Sequence, residues 1–191
     1  GKYKLAQLVR MCEALYELST WFNVPMTSGK DSMKNDFRAD GVKISVPPTI
    51  LYSLVAAMPD VRKAITSEFK AVGDAIFLVG TTYDELGGSE FYRRRGEVGA
   101  NVPRVRKEEA LELYRAVNRA QARGLIQSSH DLSDGGLAVA LAESCFGGAL
   151  GAEVKLPCGD LSTNAMLYSE SCSRFLVSVA PEDVTAFEQE L

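Results

Sequence analysis

The chain has few of the residues that soft-metal and hydrolytic sites require. Its 191 residues include one histidine and four cysteines, and no two of the cysteines are spaced as CxxC. This composition argues against a zinc or dithiol site. No GxSxG nucleophile elbow is present and no cysteine–histidine pairing is apparent, so hydrolase chemistry is also disfavoured.

Long apolar runs and an excess of positive charge are missing as well. No run reaches the roughly 18 apolar residues that cross a bilayer, and the first residues lead into a helix with internal charges rather than a signal peptide. The net charge of −4 gives no reason to expect nucleic acid as a partner. We therefore predict a cytoplasmic protein whose partners include neither a membrane nor a nucleic acid. Its apolar fraction of 46% is typical of a globular protein.

Apolar periodicity indicates a mixture of helices and strands. Helical spacing predicts helices over 4–22 and 107–123. Alternating or continuous apolar runs predict strands over 42–46, 50–58, 75–80, 125–127, 152–156 and 175–179. The polar segment after Pro59 is the best candidate for a domain boundary. Because both ends of the sequence fall within helical patterns, we expect the chain to be a piece of a longer protein.

The motif with the clearest chemistry is SHDLSDGGL, residues 129–137, between a short strand and an apolar helix. Free N–H groups at the start of a helix, with glycines that allow close approach, favour an anion. The two carboxylates of the motif would repel a bare phosphate, but they suit a magnesium ion that bridges carboxylate and phosphate oxygens. The alternative is that Ser133 or Asp134 merely caps the helix. The residues alone leave both interpretations open.

Three further turns carry weaker signals. Residues 27–33 place a lysine beside glycine and hydroxyl groups, but the spacing is not GxxxxGK[ST], and a polar surface loop is the alternative. Residues 86–90 contain two glycines, which predict a backbone bend that allows tight packing. Residues 169–174 contain Glu170 and Arg174, which either pair with each other or face a substrate.

Five segments taken together resemble the phosphoribosylformylglycinamidine synthase family, in the same order as in its synthetase subunit and over nearly the whole chain. They are residues 28–33, 47–49, 85–90, 130–137 and 169–171. The resemblance implies an α+β protein. Residues 1–60 would be the C-terminal part of one α/β domain. Residues 61–191 would be an α/β domain like the C-terminal domain of aminoimidazole ribonucleotide synthetase, truncated at its end.

The resemblance also implies an activity for the full-length protein. This is an ATP-dependent C–N ligase of de novo purine biosynthesis, which converts formylglycinamide ribonucleotide to its amidine with ammonia derived from glutamine. ATP or ADP and Mg²⁺ are the implied cofactors. The remaining synthetase domains, a glutaminase and a small nucleotide substrate are the implied partners. The main catalytic residues would lie outside this chain, so we expect the chain alone to be inactive. The alternative is a non-catalytic nucleotide-binding or assembly module of the same fold.

The resemblance assigns roles to six residues. Gly29, Lys30 and Ser133 would bind nucleotide, Ser32 would bind the substrate, and Asp131 and Asp31 would bind magnesium. Short forms of the synthetase carry a metal-binding asparagine where this chain has Lys30. Because lysine cannot bind magnesium, Asp31 would take over that role. Glu170 is a weaker candidate for a site residue.

Overall fold

The chain forms two compact units, residues 1–58 and 59–191. The computed structural model describes residues 2–32, 35–156 and 159–191. Helices and antiparallel strands are mixed, which confirms the predicted α+β class. Among the described residues, no helix combines the length and the apolar character needed to cross a membrane. The two units are described separately below.

The first unit consists of one long helix and a short hairpin. Helix α1 spans Lys2–Trp21, and strands β1 (Phe37–Ala39) and β2 (Val42–Ile44) pair antiparallel. Asp40 and Gly41 join the strands with φ values of 50° and 77°. Two positive φ values are characteristic of a type I′ turn, for which Asp-Gly is a preferred sequence. The sequence analysis predicts a strand over 42–46 but none before it, although this Asp-Gly pair was the available signal for β1.

The predicted strand over residues 50–58 is wrong, because this fully described segment has no regular structure. Its apolar side chains face solvent, and Leu51 and Val55 are 90% and 92% exposed. A strand is stable only when its backbone groups are paired and one of its faces is covered. Within the described part of residues 1–58, the only strands are the two of the hairpin. The apolar run has the pattern of a strand, but the described residues of this unit provide no strand that pairs with it.

The second unit is built around a three-stranded antiparallel sheet in the order β3-β5-β4. Strand β3 spans Ala75–Val79, β4 spans Ser128–Asp131 and β5 spans Phe175–Val179. The central strand is buried on both faces: Leu176 belongs to one apolar cluster, whereas Val177 and Val179 belong to the other. Because successive side chains of a strand point to opposite faces, this sheet has a core on each side.

Helices cover both faces of the sheet. Helix α3 (Lys107–Ala122) and helix α6 (Val184–Glu188) contribute Ala120 and Phe187 to the cluster that contains Val177. Helix α4 (Gly136–Gly148) contributes Leu137 and Ala140 to the cluster that contains Leu176. The remaining short elements are helices α2 (Glu90–Arg93) and α5 (Thr163–Tyr168), and 3-10 turns at Val61–Lys63 and Pro181–Asp183.

Two strand predictions in this unit need correction. The strand predicted at 125–127 is observed three residues later, where β4 begins at Ser128. Leu125 and Ile126 instead belong to the connection from α3 and are buried in the core. Residues 152–156, all described, form no strand and are mostly exposed. A short apolar run is compatible with a strand or with another buried segment, so the sequence alone does not give the bounds of a strand. Those bounds depend on which strands it pairs with.

Candidate functional site

Three of the predicted motifs meet in the second unit: the turn at 85–90, the turn at 130–137 and the segment 169–174. The third segment bonds to both of the others. The Glu170 N–H donates to the Glu85 carbonyl at 3.4 Å, and the Leu132 N–H donates to the Arg174 carbonyl at 3.0 Å. Segment 169–174 therefore connects two glycine-containing turns that are far apart in sequence.

The turn between β4 and α4 requires both of its glycines. Gly135 precedes the helix with a φ of 81°, and Gly136 begins it with a φ of 63°. These are left-handed values that glycine adopts without a steric penalty. A Cβ atom at Gly136 would also collide with the carbonyl oxygen of Ser169. The close approach of the turn to segment 169–174 thus depends on the missing side chain.

The Glu170 carboxylate links the starts of two helices. Its Oε1 atom accepts the Gly135 N–H at 2.8 Å and the Glu90 N–H at 2.9 Å. Of the two alternatives from the sequence, a Glu170–Arg174 pair is therefore not formed. The carboxylate instead occupies the position at the N-terminus of α4 where a negative group is favoured. The predicted anion position at Gly135 is taken, at least in part, by a side chain of the same chain.

Arg174 holds segment 169–174 in shape from the inside. Its side chain is almost fully buried and donates to the Ser169 carbonyl at 2.5 Å, to the Ser171 carbonyl at 3.0 Å and to Thr82 Oγ1 at 2.9 Å. Burial lowers the pKa of Arg174 to about 10, and the nearby Glu85 carboxylate opposes that shift. An arginine without access to solvent and with carbonyl partners is a structural group rather than a substrate ligand.

A second buried charge, the Glu85 carboxylate, lies beside this segment, and the sequence analysis did not predict that it pairs with Arg106. Arg106 Nη2 contacts Glu85 Oε1 at 2.9 Å, and this bond raises the pKa of the Arg106 guanidinium. That guanidinium also lies 3.3 Å from the centre of the Tyr83 ring. Within the described part of the chain, the buried Glu85 Oε2 atom has no hydrogen-bond partner. Arg106 and Tyr83 line a cavity of about 320 Å³ at the C-terminal end of β3.

The residues predicted to bind nucleotide and magnesium on the 130–137 turn are open to solvent. The Asp131 side chain is 72% exposed, and Ser133 and Asp134 are also exposed. His130 faces oxygen atoms with both ring nitrogens: Nε2 lies 2.8 Å from Glu143 Oε2, and Nδ1 lies 2.6 Å from the Asp131 carbonyl. The histidine is thus held within the protein, while the carboxylate and hydroxyl groups are available to a ligand.

The donor set at this turn suits magnesium only together with a ligand. Among the described residues, no group of three or more His, Cys, Asp or Glu side chains is arranged to hold a metal ion. Magnesium is commonly bound through one or two carboxylates, with phosphate and water oxygens completing the shell. Asp131 and Asp134 supply oxygen donors of that kind, so the turn fits a magnesium–phosphate group better than a bare ion.

The other predicted site residues belong to the first unit. Gly29, Lys30, Asp31 and Ser32 lie in an exposed segment without helix or strand. Nothing lies within 4 Å of the position where a Cβ atom would stand at Gly29. Met33, the last residue of the motif, is outside the described residues. An exposed loop is compatible with both interpretations of this segment, and the binding roles of these residues stay predictions.

Comparison with known proteins identifies related sequences and folds. Residues 71–191 match the family described as AIR synthase related protein, C-terminal domain. The phosphoribosylformylglycinamidine synthase subunit PurL of Moorella thermoacetica is 38% identical over 174 residues, which is 91% of this chain and 22% of that protein. The chain therefore spans about a fifth of the length of this curated relative.

Two solved structures share the fold of the chain at low sequence identity. Thermotoga maritima PurL complexed with FGAR matches with a TM-score of 0.57 and 21% identity, covering 68% of this chain and 23% of that one. Phosphoribosylformylglycinamidine synthase II from Thermotoga maritima matches with a TM-score of 0.54 and 22% identity, covering 68% and 21% of the two chains.

Proposed function

We propose that this chain is part of a phosphoribosylformylglycinamidine synthase. The premise is that the chain belongs to the AIR synthase related protein family, whose C-terminal domain matches residues 71–191. The full-length protein would be an ATP-dependent C–N ligase of purine biosynthesis. It would convert formylglycinamide ribonucleotide to its amidine with ammonia supplied from glutamine. The observation that carries the proposal is the 38% identity to PurL over 91% of the chain. Cytoplasmic localisation stays a prediction from the sequence.

The contribution of the second unit to that activity is a binding turn for a nucleotide with its magnesium ion. Ser133 would donate its hydroxyl to the nucleotide, and Asp131 would hold the cation. Support comes from the exposure of both side chains between the end of β4 and the start of α4. A bound divalent cation neutralises phosphate charge and orients the phosphate. The residues of the chain bind and orient, and the remaining synthetase domains and a glutaminase would supply the other parts of the site.

A non-catalytic nucleotide site is the second candidate for this unit. It is favoured by the placement of Glu170, which already occupies the Gly135 N–H, and by the internal bonding of His130. The turn therefore offers groups that hold a ligand, while its one histidine is already engaged. A site of this kind would stabilise the folded protein through its bound nucleotide without taking part in turnover.

Asp131→Asn in the full-length protein tests the proposed turn. We expect this variant to retain less magnesium nucleotide than Asp84→Asn, whose parent residue is exposed outside the 130–137 turn. Each tenfold loss of affinity should lower the stability of the saturated protein by about 1.4 kcal/mol, because a bound ligand stabilises by mass action. Bound nucleotide and melting temperature are the measurements. Identical values for the two variants would contradict the proposal, and unchanged turnover with a lower melting temperature would favour the non-catalytic candidate.

Ser32→Ala tests the substrate role in the first unit. A hydroxyl that donates one hydrogen bond to the substrate should contribute about 1–3 kcal/mol, so kcat/KM should fall by roughly five- to 150-fold. Stability should not change, because Ser32 is exposed. Steady-state kinetics and a thermal melt of the full-length protein provide the test. If kcat/KM stays at the wild-type value, residues 28–33 are a surface loop only.

A further inference from the structure

We infer that Glu170 is a positioning residue for the nucleotide and magnesium turn, an inference that rests on the function proposed for Asp131 and Ser133. One carboxylate oxygen accepts the Gly135 N–H at 2.8 Å and the Glu90 N–H at 2.9 Å. These bonds join residues that are 35 and 80 positions away in the sequence. Hydrogen bonds to an ionised carboxylate are stronger than those between neutral groups, so a single side chain sets the position of both helix starts.

The turn needs such a contact because its ligand-binding part is held by few others. Its N-terminal end is anchored by Leu132, which is buried and donates its N–H to the Arg174 carbonyl. Ser133 and Asp134 then lie in solvent, and the two glycines that follow have positive φ values. Glycine restricts the backbone least of all residues. Within the turn, the Gly136 N–H donates to the Ser133 carbonyl at 3.1 Å. The bond from Gly135 to Glu170 is the one that anchors the C-terminal end of the exposed segment to another part of the chain.

Close packing of the turn against segment 169–174 also fixes the position of the turn. Gly136 approaches the Ser169 carbonyl so closely that no Cβ atom fits between them. The Ser169 hydroxyl in turn donates to the Tyr83 carbonyl at 2.7 Å, and Ser171 Oγ accepts the Tyr83 N–H at 3.1 Å. The segment that carries Glu170 is thus hydrogen-bonded to the stretch that follows β3. A carboxylate on a fixed segment can hold Gly135, and through it the Ser133 hydroxyl, in one place.

The charge of Glu170 also bears on which ligand the turn accepts. The Gly135 N–H is a donor that a phosphate at the start of α4 would otherwise use. Glu170 takes this donor, and the Asp131 and Asp134 carboxylates add further negative charge around the turn. Arg93, whose pKa is raised by its bond to Glu90, contributes positive charge toward Asp134. A phosphate at this turn would therefore bind through groups other than the Gly135 N–H. A cation would have to accompany it to offset the carboxylate charge, as the proposed function requires.

The experiment measures the affinity of the nucleotide-stripped full-length protein for MgADP by titration calorimetry. Glu170→Ala should weaken MgADP binding by about tenfold or more, because a charge-assisted anchor is lost. Glu170→Gln keeps an oxygen acceptor but loses the charge, so its MgADP affinity should lie between those of the wild type and Glu170→Ala. Phe187→Leu is the matched control, since Phe187 is fully buried in the apolar cluster on the other face of the sheet. It should lower the melting temperature without changing MgADP affinity.

The outcomes separate this inference from the proposed function. Failure of the wild type and Phe187→Leu to bind MgADP, or unchanged binding by Ser133→Ala, would reject the nucleotide site itself. If these behave as expected but Glu170→Ala binds as tightly as Phe187→Leu, the positioning role is overturned. If Glu170→Ala does not fold, Glu170→Asp replaces it. Aspartate keeps the charge but is one methylene shorter, so the inference requires weaker binding than with Gln, and equal affinity would overturn it.

Discussion

Gly136→Ala is expected to destabilise the protein severely, by about 2–5 kcal/mol. A left-handed φ, here 63°, costs an alanine about 1–2 kcal/mol. The added Cβ would also meet the Ser169 and Leu167 carbonyl oxygens. Backbone atoms cannot move aside as a flexible side chain can, so overpacking adds about 1–3 kcal/mol. Thermal melting of the full-length protein should show a lower melting temperature for the transition of this domain, by about 2–4 °C for each kcal/mol lost.

Gly124→Ala separates the two causes of this loss. Gly124 has a similar φ of 76°, but nothing lies within 4 Å of the position of an added Cβ. Only the backbone strain applies there, so we expect a loss of about 1–2 kcal/mol. Equal destabilisation by the two variants would mean that the contact between the turn and segment 169–174 is looser than the structure indicates.

Arg174→Ala is expected to lower the free energy of unfolding by about 3–5 kcal/mol. The substitution removes three donors from a buried site and leaves the Ser169 and Ser171 carbonyls without this partner. It also opens a cavity, because Arg174 is the largest of the fully buried side chains. Arg174→Met should recover part of the packing but none of the hydrogen bonds, so its stability should fall between those of alanine and the wild type.

An exposed arginine provides the control for this experiment. Arg119 contacts Glu190 at 2.9 Å, but its side chain is 56% exposed. Ion pairs in solvent contribute about 0–1 kcal/mol, so Arg119→Ala should have little effect. Denaturant unfolding of both variants is the measurement. A loss at Arg174 no larger than that at Arg119 would show that segment 169–174 keeps its shape without the buried guanidinium.

Elements with a strong local pattern were predictable. The helix predicted over 107–123 is observed as Lys107–Ala122, and the strand predicted over 175–179 is observed as Phe175–Val179. The helix repeats its apolar residues at the helical period, and the strand is a short, nearly continuous apolar run, so in both cases a short window contains enough information. The apolar run at 50–58 shows the limit of this reasoning: the pattern is present, but the described residues of its own unit provide no pairing partner.

Composition, periodicity and glycine placement are local properties, and they were enough to predict a mixture of helices and strands, the strongest helices and the glycine turn at 130–137; the α+β class followed from the family resemblance. The family resemblance also came from the order of short motifs along the chain. By contrast, the sequence left open whether Glu170 pairs with Arg174, and packing of the unit brings it to Gly135 and Glu90 instead. Similarly, nothing local indicated that Arg106 would pair with the buried Glu85. Partners so far apart in sequence are selected when strands and helices pack, since burial then requires each polar group to bond with whatever donor or acceptor the fold brings beside it.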